Sequence, residues 1–138
     1  MGRPERETPP VLPVFVYGTL RRGSWNHDEW LAPWLADLPQ SRVLAGYALH
    51  AYAGLPYVVA DPGRSVAGEL AQLDPRVYDE ALERLDTLED VRGRHYDRTE
   101  VVIGDDRALL YVAGPIVAAE LGDDTVVDSG DWTTWAGP

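Results

Sequence analysis

Apolar and polar positions alternate along the chain in a way that predicts short strands and one regular helix. Residues 14–17, Val-Phe-Val-Tyr, form a continuous apolar run stopped by Gly18, as expected of a strand buried on both faces. Further strands are predicted over residues 42–50, 57–60, 65–73, 99–103 and 107–113. Trp30, Leu31, Trp34 and Leu35 recur at helical spacing and predict a helix over residues 27–37, although Pro33 opposes it. Asp74-Pro75 opens the most regular helical pattern, with Asp74 as N-cap and Pro75 at the first helical position. Beyond residue 113 the apolar positions shrink to Ile116-Val117, Val126-Val127 and the terminal Gly130-Asp131-Trp132 and Trp135. Residues 1–13 are polar and proline-rich and are expected to form a flexible tail, leaving residues 14–138 as a single domain. Many strands with one or two helices predict an α+β domain, a small mixed β-barrel with helices packed on it.

The helix carries the first chemical clue. Projected at about 100° per residue, Val77, Tyr78, Ala81, Leu82, Leu85 and Leu88 share one stripe. Arg76, Asp79, Glu80, Glu83 and Asp90 fall on the opposite face, and Asp86 lies at the border. Glu89 is the exception: it follows Leu85 by four positions and therefore lies inside the apolar stripe. A carboxylate held there without a partner is costly to keep ionised, so its pKa rises. A Glu raised towards neutrality suits general acid/base catalysis. Periodicity leaves two other readings open. The helix can end near Leu88, with Glu89 exposed beyond it, or Glu89 can pair with Arg92, Arg94 or Arg98.

The second clue is Tyr17-Gly18-Thr19-Leu20, where a buried strand stops at a glycine and runs into a loop over residues 19–23. A glycine there lets backbone approach a ligand closely, and successive amides in such a turn can bind a carboxylate or an oxyanion. An ordinary strand-to-loop turn has the same sequence. No Gly-Lys-Ser/Thr follows, so it is not a nucleotide-binding P-loop.

Composition narrows the remaining choices. The formal net charge of −11 opposes nucleic-acid binding, and all 12 basic residues are arginine. Cysteine is absent, which removes disulfides, thiol catalysis and thiolate metal sites. His27, His50 and His95 are too far apart to suggest a metal site, and no Gly-x-Ser-x-Gly nucleophile motif occurs. The chemistry is therefore expected to need no cofactor, metal or nucleotide. With no apolar run long enough to span a membrane and no secretory leader, a soluble cytoplasmic protein is the default expectation.

Two segments carry a family resemblance. Val-Phe-Val-Tyr-Gly-Thr-Leu-Arg-Arg-Gly over residues 14–23 resembles the N-terminal signature of the γ-glutamyl cyclotransferase-like (AIG2-like) superfamily. Residues 85–98, with Leu85-Asp86 before Glu89 and Tyr96-Asp97-Arg98 after it, resemble the second signature. Leu55-Pro56-Tyr57, Val66-Ala67-Gly68-Glu69 and Gly130-Asp131-Trp132 also fit, and the Tyr-Gly-Thr-Leu form is most similar to the γ-glutamylamine cyclotransferase branch. Asp90 departs from the family, in which a small residue commonly follows the glutamate. The resemblance implies release of 5-oxoproline and a free amine from a γ-glutamyl amine or amino acid. It implies Glu89 as catalytic acid/base, with Tyr17, Gly18, Thr19, Leu20 and Tyr96 around the substrate and Arg98 either orienting the site or bracing the barrel. Asp86→Asn and Glu83→Gln, on or near the polar face of the helix, are matched controls expected to stay active. Removal of a γ-glutamyl protecting group in a biosynthetic pathway, or non-catalytic binding of a small acidic metabolite, remain alternatives.

Overall fold

The computed structural model describes residues 11–135. The strands are β1 (Val14–Val16), β2 (Gln40–Tyr52), β3 (Leu55–Ala71), β4 (Tyr96–Ile103) and β5 (Asp106–Ala113), with helices α1 (Tyr78–Leu88) and α2 (Pro115–Ala118). They form one sheet in the order β2-β3-β1-β5-β4. β2/β3 and β4/β5 are antiparallel hairpins, and β1 lies between them, antiparallel to β3 and parallel to β5. That central place explains why β1 is apolar at every position. Val14 and Val16 join the core under α1, while Phe15 points the other way into a second core with Leu44, Val66 and Leu110.

The sheet curls, but it does not close into the barrel expected from the strand count. β2 and β4 remain its two edges. They are linked through Arg42, which donates to Ile103 O at 2.8 Å and to the Asp106 carboxylate at 2.9 Å. A side chain thus spans a gap that a closed barrel fills with backbone bonds. Two strands expected over residues 57–60 and 65–73 are one long strand, β3. Its pairing with β2 shifts register between Ala45 and Tyr47, where Ala45 faces Ser65 and Tyr47 faces Ala60, so residues 61–64 are excess length on β3 that bends the hairpin.

The helix expected over residues 27–37 is only a wide helical turn, His27–Leu31, followed by a 3-10 turn, Ala32–Trp34. Pro33 lacks the amide that a continuing helix requires. The apolar pattern still does its packing work: Leu31 is buried, and Trp30, Trp34 and Leu35 lie against the core beneath α1. α1 begins as expected, with the Asp74 carboxylate accepting from Arg76 N at 2.9 Å and Pro75–Val77 forming an entry turn. Of the expected N-terminal tail, residues 1–10 lie outside the described residues. Leu12 O accepts from the Tyr78 hydroxyl at 2.7 Å and Pro13 O from Leu109 N at 2.8 Å, so the last residues before β1 are attached to the domain.

The end of α1 determines where Glu89 points. Asp90 N donates to Thr87 O at 3.2 Å and Val91 N to Asp86 O at 3.1 Å, with Asp90 left-handed at φ 52°. This is a Schellman stop, in which glycine normally takes the left-handed place. Glu89 is the last residue with helical backbone, and its own amide still donates to Leu85 O at 2.9 Å. The helix therefore does end at Leu88, yet Glu89 stays on the Leu85 stripe.

Candidate functional site

A cavity of about 260 Å3 opens between the end of β1, the start of β3 and the end of α1. Each of Tyr17, Gly18, Thr19, Leu20, Glu89 and Tyr96, named from sequence, lines it. The turn after β1, the end of α1 and the start of β4 supply these residues, so they converge only in the folded chain. Asn26, Pro56 and Tyr111 are also part of the wall and were not singled out as site residues. Pro56 belongs to the quoted Leu-Pro-Tyr segment, which the two-residue turn Ala53-Gly54 carries to the cavity rim. Tyr111 had no signal, because strand alternation predicts a buried face without saying what it faces.

The turn after β1 is shaped to present backbone. Arg21 N donates to Gly18 O at 3.1 Å, closing a four-residue turn. Asn26 donates twice to Thr19, from N to the carbonyl at 3.0 Å and from Nδ2 to Oγ1 at 2.9 Å. His27 is buried, and its Nδ1 lies 2.8 Å from Leu20 O; a carbonyl only accepts, so that nitrogen carries the proton. The amides of Thr19 and Leu20 donate to no acceptor among the described residues. Gly18 is required sterically, since a Cβ there would overlap the Pro56 Cγ.

Around Glu89 the wall is aromatic, and its hydroxyls are committed elsewhere. Tyr17 donates to Tyr111 O at 2.7 Å, Tyr96 to Pro56 O at 2.7 Å and Tyr111 to the Asp86 carboxylate at 2.7 Å. The Tyr57 ring stacks on Tyr96 with centroids 4.5 Å apart. Burial, followed by the charge of Glu89, pushes the Tyr17 hydroxyl well above its ordinary pKa. Burial also raises Tyr96 and Tyr111, so all three stay neutral.

The Glu89 carboxyl makes no hydrogen bond or ion pair among the described residues. Arg92, Arg94 and Arg98 do not reach it. Arg98 pairs with Asp86 at 3.2 Å, on the outer side of the helix. Burial alone raises the Glu89 carboxyl from 4.5 to about 7. Asp90 does not contribute to that shift: its exposed carboxylate turns to Gly93 N at 3.2 Å and His95 Nδ1 at 2.6 Å. Asp86, chosen as a control, has two partners of its own. By receiving the Tyr111 hydroxyl and Arg98 it supports the cavity wall from behind. Among the described residues, no group of three or more His, Asp or Glu side chains is placed to hold a metal ion.

What this arrangement can do chemically is specific. One carboxyl raised to about 7 lines the same cavity as a turn whose Thr19 and Leu20 amides are unpaired among the described residues, beside phenols that stay neutral. The chain matches the family model described as gamma-glutamyl cyclotransferase, AIG2-like, over residues 14–134. Two relatives share the name "Putative gamma-glutamylcyclotransferase". That of Methanocaldococcus jannaschii is 31% identical over 90% of this chain and 98% of its own length. That of Vibrio cholerae is 34% identical over 86% and 93%. The crystal structure of an uncharacterized Pyrococcus horikoshii protein superposes with a TM-score of 0.66 at 27% identity, covering 88% of this chain and 89% of that one. On these matches, and with both signature segments meeting at one cavity, the chain belongs to the gamma-glutamyl cyclotransferase, AIG2-like family.

Proposed function

We propose that the protein cleaves a γ-glutamyl amine or γ-glutamyl amino acid to 5-oxoproline and the free amine, with Glu89 as general acid/base. The observation that carries this reading is the isolated Glu89 carboxyl, raised to about 7, in the same cavity as the unpaired Thr19 and Leu20 amides. The substrate supplies its own nucleophile. Its α-ammonium gives a proton to the Glu89 carboxylate, and the resulting amine attacks the γ-carbonyl carbon. A five-membered ring and a tetrahedral oxyanion form. The C–N bond to the leaving group then breaks as that nitrogen takes protons through Glu89. Two protons pass in all from the attacking nitrogen to the leaving one, and the carboxylate ends as it began.

Each structural feature has a use in that sequence. Near pH 7 a carboxyl with this pKa is both an available base and an available acid. The turn amides suit the α-carboxylate or the oxyanion, and one such donor is worth roughly 10²–10³ in rate. Holding the glutamyl chain folded brings amine and carbonyl into contact, where effective molarities reach about 10⁵ M or more. A purely binding protein would gain nothing from an unpaired carboxyl beside amides suited to an anion. The test is to incubate the protein with a panel of γ-glutamyl amines and amino acids and to assay 5-oxoproline by mass spectrometry. Release by wild type but not by Glu89→Gln is the expected result. No release from any member of the panel would overturn the reading.

A further inference from the structure

We infer that Asp131, 110 residues away in sequence, is a positioning residue that sets the substrate turn through Arg21. This rests on the reading of residues 18–20 as the anion-binding turn. Arg21 serves that turn twice. Its amide closes it on Gly18 O at 3.1 Å, and its guanidinium Nη1 donates to Asp131 Oδ1 at 2.8 Å. The Arg21 side chain is only 14% exposed, and its Nε is buried without a partner. Asp131 is its sole carboxylate neighbour within ion-pair distance among the described residues. Neutralising that carboxylate leaves a largely buried guanidinium without a counter-charge, which favours its moving towards water. If it moves towards water, the turn closed by its own amide moves with it.

Asp131 is itself held by the sheet. Gly130 O accepts from Ala67 N at 2.8 Å, and Val127 N donates to Leu49 O at 2.8 Å, so the segment is tied to β3 and β2. Gly130 has φ +68°, and a Cβ there would overlap Ser65 O. Close seating on β3 therefore requires a residue without a side chain. Asp131 Oδ1 also accepts from Thr133 N at 3.0 Å and Thr133 Oγ1 at 2.7 Å, which fixes the carboxylate independently of Arg21. Arg22, the next residue, is anchored separately: its N donates to the buried Glu69 carboxylate at 3.0 Å. Two adjacent arginines thus carry the turn to two distant carboxylates. Asp131 is the partly exposed one, and can be altered without burying a new charge.

The experiment compares Asp131→Asn, Arg21→Gln and the double variant, with Asp128→Asn as control. Asp128 is 92% exposed and lies on the same segment. Two readings are taken: KM and kcat for a γ-glutamyl substrate, and the NMR shifts and exchange rates of the Thr19 and Leu20 amides. Each single variant is expected to raise KM about tenfold or more, as for loss of one charge-assisted hydrogen bond, with kcat changed by less than about threefold. The double variant should resemble the singles, and both amides should shift and exchange faster. Lowered thermal stability with unchanged KM and unchanged amides would leave Asp131 a structural brace and overturn the inference. If wild type turns over no γ-glutamyl substrate, the proposed reaction fails, but the amide readings still decide the coupling. If Asp131→Asn does not fold, Arg21→Gln, which removes the buried charge together with its need for a partner, is judged by the same readings.

Discussion

The last turn of α1 separates two hollows of opposite character. The outer groove is lined by Asp79, Glu83, Asp86, Asp90, Arg92 and Arg98, and holds most of the local charge. Its central carboxylate, Asp86, is paired with both Tyr111 and Arg98. The inner cavity holds one ionisable carboxyl, Glu89, with no partner among the described residues and neutral phenols around it. Three positions along one helix separate a carboxylate that stabilises structure from one that structure isolates. Charge density is therefore a poor guide to a site here, because a paired charge has little left to exchange. Isolation, which leaves the proton free to move, is the better guide.

The sharpest way to break this contrast is Glu89→Gln, which keeps the shape and removes the proposed proton carrier. Turnover should fall about 10²–10⁴-fold with substrate binding retained, measured as single-turnover release of 5-oxoproline. Gly18→Ala attacks the opposite wall. The added methyl must displace Pro56, and KM should rise at least about tenfold while the melting temperature drops, at a cost of about 1–3 kcal/mol. A third test uses linkage. Glu89 ionises less readily folded than unfolded, so wild type loses stability relative to Glu89→Gln as pH rises from 4.5 to about 7. The Gln variant should be more stable by up to about 3 kcal/mol at pH 8, and the gap should close below pH 4.5, in denaturant titrations at each pH.

Asp86→Asn is predicted to act more mildly. It weakens the Arg98 contact and the support of Tyr111, costing about 1 kcal/mol and lowering kcat/KM by a few-fold, with the pH profile unmoved. Glu83→Gln, on the exposed face, should change neither stability nor activity beyond about 0.5 kcal/mol. An Asp86→Asn variant as inactive as Glu89→Gln would erase the distinction between the two sides of the helix.

Much of this was legible in the sequence, for identifiable reasons. β1 was readable because a run buried on both faces has no polar interruption, and α1 because Asp74-Pro75 marks its start. Glu89 was readable as an anomaly, though periodicity alone could not tell a helix that ends at Leu88 from one that continues. The Schellman stop resolves this, and it rests on backbone bonds of Asp90 and Val91 that no side-chain pattern encodes. The open seam beside Arg42 was misread as closure, because strand count fixes neither edge pairing nor curl. The pairing of Asp86 was not readable because its partners lie on β4 and β5. Helical projection sees only the helix's own surface.

The commitment of the three phenol protons to Tyr111 O, Pro56 O and Asp86 has a kinetic signature of its own. None of those hydrogens is available to travel in concert with the one on Glu89. If Glu89 carries the proton as proposed and no other hydroxyl joins it, transfer is a single-passenger process, with one exchangeable hydrogen in flight at a time. In mixtures of light and heavy water, a rate limited by that step should decline linearly with the deuterium fraction. A bowed plot would mean that a wall hydroxyl had joined the relay.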